Sequence, residues 1–219
     1  EPWERGQPVF WDQMYETAST AYHRSYNGFI FGALVDPRRT GPPNAYSNIS
    51  MMPGRSEESL RRYVERIGVP AAAVDEVVLG GTDGYDVPLL TRFAELYNVV
   101  LYAFGSCQRS FFARVLPIDV CAQLFSAATG IAVTAEDLLL KAERVITLQR
   151  LFNLRQGLTK ADDMYPSGYL GKAQQDEFTP MVEKYYEAHG WDRETGVPRR
   201  ETLAQLGLEE RTGGALYHP

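Results

Sequence analysis

A chain of 219 residues, 44% hydrophobic and 23% charged, has the composition of an ordinary globular protein, long enough for one large or two small cores and neither disordered nor fibrous. Its net charge of -6 and its short, scattered basic pairs (Arg38-Arg39, Arg61-Arg62, Arg199-Arg200) argue against a nucleic-acid surface. Two cysteines make no disulfide framework, no secretory segment opens the chain, and the longest apolar runs fall short of the roughly 20 residues that span a bilayer, so a cytoplasmic protein with no membrane partner is expected.

In chain order, the first distinctive segment is Asp36 to Gly54, rich in Pro, Gly, Asn and Ser, which reads as a long irregular loop. Asn44, Tyr46 and Asn48 within it are of the kind that line a substrate channel, although a turn-rich surface loop is the preferred reading. Ser56 then serves as an N-cap, and Leu60, Tyr63, Val64 and Ile67 recur at helical spacing before Gly68. Only scraps such as Val74 to Leu79 suggest strand. Leu89, Leu90, Phe93, Leu96, Tyr97, Val100 and Leu101 predict a well-buried helix that delivers Gly105 and Cys107 at its C-terminal end.

Pro117 suits the first turn of the next helix, with Ile118, Cys121, Leu124, Phe125 and Ala128 on its face and Gly130 as its stop. Thr134-Ala135-Glu136-Asp137 has the form of a capping box, with Asp in place of Glu, and opens a long helix whose face is read as Leu138, Ala142, Val145, Leu148 and Phe152. Thr159 to Gln175 is read as irregular, and a last amphipathic helix carries Phe178, Met181, Val182, Tyr185 and Tyr186, with His189 as a helix-terminal residue suited to the negative end of the dipole. No repeat or low-complexity tract appears, and the pattern is all-α.

Several short motifs fall in a telling order: Gly105-Ser106-Cys107, Ala127-Ala128-Thr129-Gly130, Leu151 through Gly157, Asp162-Asp163, Tyr165-Pro166, Tyr185 through Asp192, and Leu203 through Leu208. This order resembles the C-terminal part of the tungsten-dependent aldehyde:ferredoxin oxidoreductases, densely from Tyr97 to Leu208 and weakly from Glu1 to Gly84. The resemblance implies a multihelical fold like that family's two C-terminal helical domains, with residues 1-90 belonging to the middle domain and 91-219 forming the C-terminal one. It also implies that the N-terminal pterin-binding domain is absent from this chain, which is expected to be an excerpt and inactive alone.

What the resemblance implies for chemistry is a tungsten (or molybdenum) bis-pterin beside a [4Fe-4S] cluster, oxidation of an aldehyde to a carboxylic acid, and electron transfer to ferredoxin. In the family the pattern Asp-x-x-Gly-Leu-Cys brings an Asp to a pterin and the last of four thiolates to the cluster. Here Tyr102, Gly105, Ser106 and Cys107 occupy those positions, with Tyr102 standing for Asp and Ser106 for Leu. A protonated phenol offers one hydrogen bond but no anionic acceptor. Cys107 is the candidate metal ligand, since iron takes thiolate and a cube needs four of them; a buried free thiol is the plain alternative.

Cys121, on an apolar helix face, reads as a core residue. Asp162 and Asp163 fall where the family has acidic residues near the pterin cleft, and adjacent carboxylates after a helix stop also cap the next turn or pair with an arginine such as Arg155. No histidine lies between Gly28 and Cys107, where the family places one near the metal, and no catalytic residue is singled out. The partners expected are ferredoxin, a small aldehyde or acyl substrate, the remainder of the polypeptide and a second copy of it. The alternatives are a relative that reduces aromatic acyl-CoA thioesters of the benzoyl-CoA type, and a metal-free scaffold that kept the helices after losing the site.

Overall fold

A computed structural model describes residues 31–32, 34–37, 56–81, 84–107, 115–164 and 172–209. Most of the predicted loop of residues 36–54, with Asn44, Tyr46 and Asn48, lies outside the described residues, as do Tyr165 and Pro166. Among the described residues the protein is all-α: seven α-helices, one 3-10 turn, and a lone antiparallel bridge between Trp191 and Pro198.

Helix α1 (Glu57–Arg66) begins where the Ser56 hydroxyl accepts the Ser59 amide at 3.2 Å, with Glu57 and Glu58 in the first turn where the helix dipole favours negative charge. It buries Leu60 and Val64, and Ile67 is sealed just beyond its end. Helix α2 (Ala71–Leu79) corrects the strand suggested for Val74 to Leu79. Pro70 precedes the helix, three alanines form its first turn, and Val74, Val77 and Val78 share one buried face. Local helix formers and tertiary burial outweigh the strand preference of three valines.

Helix α3 (Val87–Ala103) is the central element, packed by α5 and α6. Asp86 caps it, accepting the Leu89 amide at 2.9 Å, and Lys184 binds the other Asp86 oxygen at 2.6 Å. The helix is apolar almost all round and also buries Glu95 and Asn98, which explains why its sequence reads as a nearly continuous hydrophobic run. One buried cluster runs from Phe31 through α3 to Trp191. The expected division between residues 90 and 91 falls inside α3, within that cluster. Each fully buried aliphatic residue here, such as Leu101 or Ile146, contributes on the order of 1.5–3 kcal/mol.

Helix α4 (Ile118–Thr129) follows Pro117 and stops at Gly130; it buries Ile118, Cys121 and Ala122. Leu124 and Ala128, expected on that face, are exposed. Helix α5 (Ala135–Arg155) opens on the predicted capping box, in which the Asp137 amide donates to Thr134 Oγ1 at 3.1 Å and the Thr134 amide donates to Asp137 Oδ2 at 2.8 Å.

The face of α5 departs from expectation. Leu138 and Ala142 are buried as read, together with Glu143, Ile146, Thr147, Arg150 and Leu151, while Val145, Leu148 and Phe152 are exposed at 42%, 46% and 53%. Three polar groups take the core side because partners distant in sequence receive them there.

The 3-10 turn Lys160–Asp163 and the first turns of α6 (Lys172–Ala188) lie within the segment expected to be irregular. The last helix, α7 (Arg200–Gln205), is one that periodicity did not find; Leu203, Leu206 and Leu208 close a second small cluster with Leu151 on α5.

Candidate functional site

The end of α3 is built by local backbone chemistry. The Ser106 amide donates to the Leu101 carbonyl and the Gly105 amide to the Tyr102 carbonyl, both at 2.9 Å, which is the paired closure of a helix by a left-handed residue. Gly105 has φ +71°, and nothing lies within 4 Å of where a Cβ would stand. The dihedral alone, rather than a clash, calls for glycine here.

This turn carries Cys107 clear of the helix as a free, exposed thiol. Tyr102 and Ser106 are half-buried beside it, and Phe104, 38% exposed, lies 6.2 Å from the Phe125 ring. Four of the six expected site residues therefore occupy one contiguous helix end. A thiolate must be reachable to take a metal, and Cys107 is.

Cys121 behaves in the opposite way. It is 1% exposed, its thiol points at the Leu116 carbonyl 3.6 Å away, and burial pushes its pKa up. Among the described residues no group of three or more His, Cys, Asp or Glu is arranged to hold a metal ion. A four-thiolate site that included Cys107 would need its other thiolates from outside the described residues, since Cys121 is buried.

The acidic pair lies elsewhere and divides its roles. Asp162, exposed, caps the 3-10 turn by accepting the Thr159 amide at 2.7 Å. Asp163 is 1% exposed and pairs at 2.6 Å with Arg150, itself 3% exposed; the Tyr186 hydroxyl donates to the same carboxylate oxygen. Arg150 also donates to the Gly196 carbonyl at 3.0 Å and to the Tyr186 hydroxyl at 3.2 Å, with its guanidinium over the Tyr186 and Trp191 rings. The arginine partner is thus Arg150, not Arg155, whose guanidinium covers Phe152. Gly196 has φ +69°, and a Cβ there would strike Arg150 Nη2 and stand 2.6 Å from Tyr186 Cζ.

A second buried network escaped the sequence reading. His189, 2% exposed at the end of α6, directs Nδ1 to Glu143 Oε1 on α5 and Nε2 toward Glu95 Oε2 on α3, 3.6 Å away. The Tyr185 hydroxyl donates to Glu95 Oε2 at 2.6 Å, and Arg92 binds the free oxygen of Glu143 at 2.7 Å. His189 also stacks on Trp191, with ring centroids 4.7 Å apart. Burial alone would lower the imidazole pKa, but Glu143 and then Glu95 outweigh it and raise it. Burial would likewise raise Glu143; His189 and Arg92 hold it below the usual carboxylate value. His189 does sit at a helix C-terminus as expected, yet two carboxylates, more than the dipole, define its surroundings. Trp191 on its far side was the available signal, since an aromatic-flanked histidine after an apolar helix marks burial.

The comparisons with known proteins give a family from sequence and a shared fold from structure. A family profile described as aldehyde ferredoxin oxidoreductase, domains 2 and 3, matches residues 56–208. The tungsten-containing aldehyde ferredoxin oxidoreductase of Pyrococcus furiosus is 32% identical over 133 residues, covering 57% of this chain and 21% of the relative. That of Thermococcus kodakarensis is 31% identical with the same coverage. The matched part is thus about a fifth of those relatives' length. Among solved structures, a chain of the active site complex BamBC of benzoyl coenzyme A reductase with 1,5-dienoyl-CoA shares the fold: TM-score 0.66 and 21% identity, covering 88% of this chain and 32% of that one.

Proposed function

Because the chain belongs to the aldehyde ferredoxin oxidoreductase family, matching its domains 2 and 3 over residues 56–208, we propose that it is the helical C-terminal portion of a tungsten or molybdenum bis-pterin, [4Fe-4S] oxidoreductase. The reaction is oxidation of an aldehyde to a carboxylic acid, with electrons passed to ferredoxin in the cytoplasm. The observation that carries this reading is the exposed Cys107, presented by the α3 turn inside the matched span.

Cys107 supplies one cluster thiolate, Tyr102, Gly105 and Ser106 beside it offer polar groups to a pterin, and Asp162 offers a carboxylate from the separate 3-10 turn. Asp163 contributes indirectly, by anchoring the 3-10 turn to Arg150. The bound groups supply two-electron chemistry at the metal and single-electron transfer through the cluster; this chain supplies one ligand and a rigid helical wall. No described helix is long and apolar enough to cross a membrane.

Tyr102 and Ser106, in place of the family's Asp and Leu, favour a second reading, a relative that reduces an aromatic acyl-CoA. The test begins with the whole polypeptide, purified anaerobically from its native source and analysed for tungsten, molybdenum and iron. About one tungsten or molybdenum with four irons per chain is expected on either enzymatic reading, and turnover of an aldehyde rather than an aromatic thioester selects the first. Metal-free protein overturns both in favour of a scaffold.

A further inference from the structure

The outer face of α5 is ordered, not a scatter of exposed side chains. Lys141, Val145, Leu148, Phe152 and Arg155 are all exposed and follow one another at intervals of four, three, four and three residues, so they line up along the helix as the seam of a coiled coil does. Val145, Leu148 and Phe152, each about half exposed, form its apolar middle. Leu140, equally exposed, stands on another side of the helix.

Cations frame this middle. Lys141 and Arg155 close the seam, and Arg144 flanks Val145 while donating to the Gly207 carbonyl at 3.4 Å. Arg155 rests over the Phe152 ring, 5.3 Å from its centroid. One carboxylate, Asp137, stands a turn before Lys141, and it already accepts the Thr134 amide and hydroxyl. In a chain of net charge -6 this strip is therefore cationic. Its backbone is fixed from behind, where Arg150 and Glu143 on the inner side of α5 are tied to Asp163 and His189.

The charges discriminate among occupants. A second copy paired antiparallel about Leu148 sets Lys141 against Arg155, and a parallel pair sets each cation opposite itself, so like charges meet either way. A permanent interface within one polypeptide keeps charge out of its core, whereas here cations hold seam positions themselves. A short apolar seam bounded by cations suits a small, reversible contact steered by charge.

We propose that the α5 seam is a docking surface for an acidic amphipathic helix of a separate protein, whose apolar residues cover Val145, Leu148 and Phe152 and whose carboxylates pair with Lys141, Arg144 and Arg155.

The test places a photo-cross-linker in the seam of the whole polypeptide, Leu148→benzoylphenylalanine, irradiates it in its native host and maps the linked peptide by mass spectrometry. The expected product joins position 148 to one segment of a different protein, with Asp or Glu on both sides of an apolar helical stripe. In the purified pair, the yield should fall at high salt. Arg144→Glu together with Arg155→Glu should lower it about tenfold, with the urea midpoint kept. Leu140→Asp, off the seam, should leave it unchanged, which separates docking from general stickiness. A link to a second copy, to another part of the same polypeptide or to a segment without flanking carboxylates overturns the proposal, as does no link at all or a yield indifferent to the charge reversal. Should the doubly reversed variant fail to fold, the mapped segment and the salt dependence decide without it.

Discussion

The centre and the end of α3 treat polar groups in opposite ways. Midway along it Glu95 sits in a dry, crowded network with Tyr185, His189 and Glu143, and nearby Arg150 and Asp163 form an ion pair closed off from solvent on both sides. At its end Cys107 is exposed beyond a glycine turn with open space where a Gly105 Cβ would stand. The buried charges set where the helices lie, and the exposed thiol depends on that placement without adding to it. Stability and the ligand role proposed for Cys107 therefore rest on separate regions, and substitutions in the two should tell them apart.

The largest effect is expected at the buried ion pair. Arg150→Met takes the guanidinium away from the buried Asp163 carboxylate and should cost about 3–5 kcal/mol in urea unfolding. Adding Asp163→Asn should recover part of that loss; strict additivity of the two would show that the residues do not act as a pair. Gly196→Ala forces a side chain into Arg150 and Tyr186 at a left-handed backbone position, for about 2–3 kcal/mol, read as a lowered melting temperature.

Acid titration sharpens the same side of the comparison. Glu143 is depressed in the folded state, so its stabilisation is complete above its ordinary 4.5 and lost as pH falls through the folded value. Arg92→Gln removes one of the two cations that depress it and should move the acid unfolding midpoint to higher pH. At the helix end the effects shrink. Gly105→Ala, strained in φ but free of clashes, should cost about 1 kcal/mol, and Cys107→Ala should stay within about 0.5 kcal/mol while lowering the iron content of the whole polypeptide. A Cys107 variant that unfolds the chain would erase the distinction.

The features readable from sequence were those whose causes are local. The Ser56 cap, the Thr134 capping box and the stops at Gly68 and Gly130 each depend on residues within one turn. The face of α5 depends instead on partners far along the chain: Glu143 on His189 and Arg92, Arg150 on Asp163 and Gly196, Thr147 on Trp191. Periodicity sees only that Glu, Thr and Arg are polar and places them outside. For α2 the cue was present in Pro70 and three alanines, but the valines outweighed it. At six residues, α7 is too short to show a period, and its leucines are explained only by Leu151 on α5. Cys107 was found through family order, and its exposure was beyond what spacing could supply.

The inverted face of α5 carries a practical consequence for anyone handling this chain. A helix that hides Glu143 and Arg150 and leaves Val145, Leu148 and Phe152 about half exposed gives this chain an apolar stripe on its surface. Such stripes self-associate as concentration rises and more so in sulfate, which strengthens apolar contact. Leu148→Lys, on that face, should raise the solubility of this chain without touching the interior.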